Sequence, residues 1–109
     1  KVSPIGCSDS HDVNRYLLGQ GRTYIRCDDR DPSRIDVEAA CESLRRGRVL
    51  ISMGLLVELT VNDRFGPGDL VRSSGTVKAT CRVQGPSWTD ADHVALYANG
   101  EKIRETRIA

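Results

Sequence analysis

From residue 55 onward, apolar residues fall at every second position, and this alternation restricts the second half of the chain to β-structure. Val77, Ala79, Cys81 and Val83 alternate with Lys78, Thr80, Arg82 and Gln84, the clearest strand signature in the sequence. Side chains along a strand point to opposite faces in turn, so one set meets a core and the other meets water. Val57, Leu59 and Val61 form a second inward set, and Val94, Leu96 and Ala98 a third. Residues 62–69 and Gly85-Pro86-Ser87 are loops by composition. Asn99-Gly100 predicts a hairpin, because both residues tolerate positive φ, and residues 101–108 should pair back across it. Short antiparallel strands separated by turns predict an Ig-like β-sandwich over residues 55–109, either truncated or with a strand edge open to a partner.

Residues 1–54 follow a different grammar, so the chain is expected to divide into two units near Gly54 within an α+β class. Strands are predicted over residues 2–5, 23–27 and 49–53. Between the last two, Val37, Ala40, Cys41 and Leu44 fall on one face of a helix. Pro32 and Ser33 suit its start, Gly47 its end, and Arg45 and Arg46 favour the dipole of its last turn.

At 109 residues the chain is about one domain, able to bury a core but not a large one. Charges are nearly balanced, at a net +1, which argues against a dominant nucleic-acid or membrane-surface role. Aromatic residues are only 5%, too few for a base-stacking platform. No apolar run approaches the roughly 20 residues needed to cross a bilayer. The compartment is not legible in the sequence. Cys7, Cys27, Cys41 and Cys81 form no close pair, which argues against a zinc ribbon, and disulfides are not expected. Cys41 and Cys81 fall on apolar faces, where a free thiol acts as a small hydrophobe.

Chemistry concentrates in Gly6-Cys7-Ser8-Asp9-Ser10-His11-Asp12. At a strand end Asp9 and His11, two apart, point the same way, and a carboxylate converging with an imidazole suits a divalent metal. The same residues also suit a capped turn that opens a helix. Two ligands are fewer than the three or more of a hydrolytic site. A strand ending in such a pair, with no initiator Met before it, reads as a piece of a larger protein. Asp92-His93 is a weaker pair, since neighbours on a strand point apart. Asp28, Asp29 and Asp31 lack the order of a calcium loop. Trp88 reads as a core or rim residue rather than a sugar platform. Gly19-Gln20-Gly21-Arg22 can meet an anion, and Arg22, with Arg15 and Arg26, can pair with a substrate phosphate. No Ser-His-Asp or Cys-His triad is arguable.

Pro4-Ile5-Gly6-Cys7-Ser8-Asp9-Ser10-His11-Asp12 resembles the last metal-binding segment of the PHP (polymerase and histidinol phosphatase) superfamily, which reads Gly-x-Ser-Asp-x-His at the end of a late barrel strand. Gly21-Arg22-Thr23-Tyr24, Leu44-Arg45-Arg46-Gly47-Arg48-Val49 and Ser52-Met53-Gly54 resemble the segments that follow it in the carbaryl-hydrolase-like branch. The resemblance covers residues 1 to 54. A less specific one links residues 55–109, with the hairpin at Asn99-Gly100, to the β-rich extension of such proteins.

The resemblance implies a distorted β/α barrel holding two or three divalent metals (Zn, Mn or Fe) that activate water for ester hydrolysis. Asp9 and His11 would be two ligands. The family's opening His-x-His and its intervening Glu and His ligands are absent, and Cys7 stands where Ser or Gly is commoner. The implied chain is the last strand and helix of such a barrel followed by the sandwich. Alone it should be inactive and hold no metal stably. Its partners would be the N-terminal part of the barrel or a second copy meeting it at an open strand edge. The alternative is a non-enzymatic β-sandwich module for binding or assembly.

Overall fold

The computed structural model describes residues 2–14 and 18–108. Arg15, named above as an anion contact, and the apolar pair Tyr16-Leu17 lie outside the described residues.

The second half forms the strands its alternation predicts, as two separate antiparallel ribbons in which Val57, Val77, Ala79, Cys81 and Ala98 of the expected inward sets stay exposed. Strands β3 (Leu56–Val61) and β4 (Ala79–Gln84) pair antiparallel, from Leu56↔Gln84 to Val61↔Ala79. Strands β5 (His93–Ala98) and β6 (Glu101–Arg107) form a hairpin through Asn99 and Gly100, at φ 52° and 86°. Positive φ at both turn residues matches the right-handed twist of the flanking strands. A bulge between Leu96 and Tyr97 shifts the hairpin register. Val57, Leu59, Ala79 and Cys81 of one ribbon and Val94 and Leu96 of the other line a single cavity of ≈ 350 Å³.

In the first half, β1 (Arg22–Ile25) and β2 (Val49–Ser52) pair antiparallel, from Arg22↔Ser52 to Ile25↔Val49. The pairing runs one step further, where Arg26 N–H donates to the Arg48 carbonyl at 3.0 Å. This is not the parallel strand–helix–strand unit of a β/α barrel, whose crossover returns the second strand in the same direction. Residues 2–5 form no strand. Pro4 lacks the N–H a ladder needs, and no described strand pairs beside it.

Helix α1 (Val37–Arg46) lies between β1 and β2 and starts later than Pro32 and Ser33 suggest. Those residues form a 3-10 turn, Pro32–Arg34, capped by Asp31. The helix cap proper is Asp36, whose carboxylate accepts from Ala39 N–H at 3.0 Å, an interaction that stabilises a helix by about 1 kcal/mol. At the other end Gly47 N–H donates to Leu44 O and Arg48 N–H to Ser43 O, which satisfies carbonyls the helix leaves open. The inward face is also rotated from the predicted one. Ser43 is buried and Ala40 and Leu44 half-buried, whereas Val37 and Cys41 face solvent. Cys81 is exposed as well, so neither cysteine is the buried hydrophobe its position suggested. All four thiols are free.

Little is buried. Val49 is the one buried hydrophobic side chain among the described residues. The accessible surface is 9331 Å², about half as much again as the roughly 6,000 Å² expected of a globular 12 kDa monomer. The radius of gyration, 15.9 Å, exceeds the about 13 Å of a compact chain of this length.

Surface ion pairs carry a pH dependence. The Arg46 and Arg45 guanidiniums hold the Glu42 carboxyl below its ordinary range. Arg30 does the same to Asp28, and His93 to Asp92. Depressed folded-state values stabilise above the unfolded pKa and lose that contribution as pH falls through the folded value. The urea midpoint should therefore hold from neutrality to about pH 5 and fall below about pH 4, less steeply at high salt. A midpoint that rises on acidification contradicts this.

Candidate functional site

The segment carrying Asp9 and His11 is anchored on the β1–β2 ribbon although it is not itself a strand. The Thr23 hydroxyl accepts from Gly6 N–H at 2.8 Å and donates to Gly6 O at 2.9 Å. Cys7 crosses directly over Gly21, where an added Cβ would stand 2.5 Å from the Cys7 carbonyl oxygen. Gly6 is equally close to Ile51, whose Cγ2 would stand 2.5 Å from an added Cβ. Two glycines thus let one backbone lie against another, and Thr23, half-buried on β1, ties them together.

Beyond this anchor the chain bends. Asp9 adopts φ 51°, a left-handed conformation that Asp tolerates better than most residues. Asn14 N–H donates to Asp12 Oδ1 at 2.9 Å, which holds the following turn. His11 Nδ1 lies 2.8 Å from the backbone oxygen of Asp9. A carbonyl oxygen only accepts, so Nδ1 is the donor in this contact and Nε2 is the ring nitrogen left to meet a ligand. Both side chains are exposed. The contact between the two residues runs through the Asp9 main chain, and the segment is not a strand end on which alternation would align their side chains.

The donor set, one carboxylate and one imidazole with a backbone partner on its other nitrogen, fits half of a divalent-metal shell. No group of three or more metal-ligating side chains occurs among the described residues. The Asp92 carboxylate and the His93 ring do meet, at 3.1 Å between Oδ1 and Nδ1, because Asp92 precedes β5 and is not bound by strand alternation. That contact occupies the imidazole with a carboxylate already paired to it.

The arginines named from sequence separate. Arg22 donates through Nε to the Gly19 carbonyl and lines a cleft with Gln84 and the exposed Trp88. Arg26, four residues on, lines another with Arg48 and Arg64. Arg48 and Arg64 were missed as functional candidates because nothing local marks them. They meet only when residues 62–70 fold back toward the end of α1.

No protein-family model matches the chain, and no curated protein or solved structure does either.

Proposed function

We propose that this chain supplies two ligands, Asp9 and His11, to the metal centre of a PHP-type metal-dependent hydrolase, the other ligands coming from polypeptide outside it. The observation that carries this reading is the exposed His11 ring, whose Nδ1 is held by the Asp9 carbonyl. Metal-bound imidazoles are oriented in this way by a partner on the second nitrogen. A Zn, Mn or Fe ion held there supplies Lewis acidity and lowers the pKa of bound water. The residues of this chain position that chemistry. Asp9 contributes charge, His11 a neutral nitrogen donor, and Thr23 and Gly21 hold the segment in place.

Residues 55–109 are read as an Ig-like extension whose two ribbons line the open ≈ 350 Å³ cavity. The surplus of accessible surface supports a covering partner, which in this reading is the polypeptide that carries the other ligands. The second reading, a non-enzymatic assembly module, is favoured by one observation: the β3–β4 and β5–β6 pairs are isolated two-stranded ribbons with open edges.

The chain has two histidines, so titration with Mn²⁺ followed by proton NMR separates these readings. The His11 ring signals should broaden well before those of His93, and Asp9→Asn should abolish that order. The chain alone should turn over no phosphodiester or carboxylic ester. Equal broadening of both rings, or an unchanged Asp9→Asn response, overturns the ligand assignment. Micromolar metal affinity with turnover by the chain alone overturns a shared site. A metal-independent dimer in light scattering, together with a silent His11, favours the assembly module.

A further inference from the structure

The 62–70 loop builds a cleft that nothing in the proposed metal centre uses. Asn62 and Asp63, at φ 53° and 54°, turn the chain back so that Val61 and Phe65 pair. Gly66 N–H then donates to Asp69 Oδ2 at 3.0 Å, and Asp69 N–H returns to Gly66 O at 3.1 Å. Gly68 packs against the backbone of Arg46 and Arg48. The loop is thereby fastened to the junction of α1 and β2, and Arg64 and Phe65 face Arg26 and Arg48 across a cleft of ≈ 640 Å³.

Three guanidiniums line this cleft, and their donors are largely unspent. Arg26 makes no side-chain hydrogen bond or ion pair among the described residues, and Arg64 is steadied only by the Phe65 ring, 5.3 Å away. Arg48 reaches Asp69 at 3.5 Å, too long for a strong bond, and its buried Nε has no hydrogen-bond partner among the described residues. Two carboxylates share the lining. Asp28 is taken up by Arg30, through contacts of 2.9 and 2.6 Å. Asp69 is held below its ordinary pKa by Gly66 N–H first and by the charges of Arg48 and Arg26 next. The cleft therefore keeps a positive excess, with forked donors that match a tetrahedral oxyanion.

We infer that Arg26, Arg48 and Arg64 form a binding site for a phosphoryl group, either free phosphate or the phosphate of a small organic monoester. The site lies at the Ile25 end of β1, whereas Asp9 and His11 are anchored at the Gly21 end. The cleft volume suits a ligand larger than phosphate, and Phe65 and Leu70 give it an apolar wall.

Calorimetric titration of the chain with inorganic phosphate and with phenyl phosphate tests this, at constant ionic strength against chloride. Saturable binding of both is expected, with phenyl phosphate tighter if the monoester is the natural occupant and equal if phosphate is. Arg26→Gln and Arg64→Gln should each weaken binding about tenfold, as loss of a charged hydrogen bond does. Both side chains are exposed, so neither change should alter the far-UV circular dichroism. Arg107→Gln, at the end of β6, should leave binding unchanged. No saturation by about 20 mM, or equal weakening by Arg107→Gln, overturns the site and leaves only non-specific attraction.

Discussion

Gly68→Ala is expected to destabilise the loop at residues 62–70 by about 2–4 kcal/mol, the largest effect of any single methyl addition in this chain. Two costs add. The residue sits at φ 85°, where an L side chain costs roughly 1–2 kcal/mol. The new Cβ would also stand 2.8 Å from Arg46 O and 2.9 Å from Arg48 N, backbone atoms of the helix end that cannot rotate away. Relief requires the loop to leave the α1–β2 junction, which parts Asp69 from Arg48 and separates Arg64 from Arg26. Amide exchange should report this as lost protection at Phe65 and Asp69, with β5 and β6 unaffected. Phosphate binding in the arginine cleft should fall with it. Gly75→Ala is the control, since an added Cβ there meets nothing within 4 Å. Should Gly68→Ala behave like Gly75→Ala, the docking of the loop described above is wrong.

Gly21→Ala acts at the opposite end of β1, with an expected cost of about 2–3 kcal/mol. Gly21 is buried, and its Cβ would fall 2.5 Å from the Cys7 oxygen and 2.7 Å from the Cys7 carbonyl carbon. Main chain faces main chain there, so no rotamer change relieves the contact. The segment must lift from the ribbon, and the two Thr23 hydrogen bonds to Gly6 go with it. His11 keeps its residue type but loses the frame that places it. In the Mn²⁺ titration the order of broadening between His11 and His93 should collapse, although neither ligand was changed. Persistence of that order in Gly21→Ala would mean that the bend at residues 9–14 is self-sufficient. The Gly6–Thr23 anchor would then have no part in the site.

The two glycines show how unequally the chain is legible. Gly47 was readable as a helix end because the apolar pattern stops there. Gly21 and Gly68 were not readable as close approaches, because what they approach, Cys7 and Arg46, is remote in sequence. Asp9 and His11 were readable as a pair of ligand types. The local geometry was not: a left-handed Asp9 and a hydrogen bond from the His11 ring to the Asp9 carbonyl stand where alternation along a strand was expected.

The helix gives the same lesson in packing. Val37, Ala40, Cys41 and Leu44 describe an apolar stripe, and the helix forms where that stripe lies. Which part of the stripe is covered depends on what packs against it, and with β1 beside the helix Ala40 and Leu44 are half-buried and Ser43 is buried. Antiparallel pairing of β1 with β2 was equally hidden, since a strand–helix–strand order is compatible with either direction until the return path is known.

By itself, the sequence determined the local elements of this protein. They are all six strands to within about two residues, the hairpin at Asn99-Gly100, the helix and its glycine stop, while the strand expected at residues 2–5 does not form. Each follows from residues near one another, through side-chain period, capping and tolerance of positive φ. Tertiary structure alone decided the antiparallel sense of β1 and β2, the anchoring of Gly6 and Cys7 on that ribbon, and the gathering of Arg26, Arg48 and Arg64. These depend on contacts between distant residues, whose free energies are set by what packs beside them and leave no periodic trace in the chain.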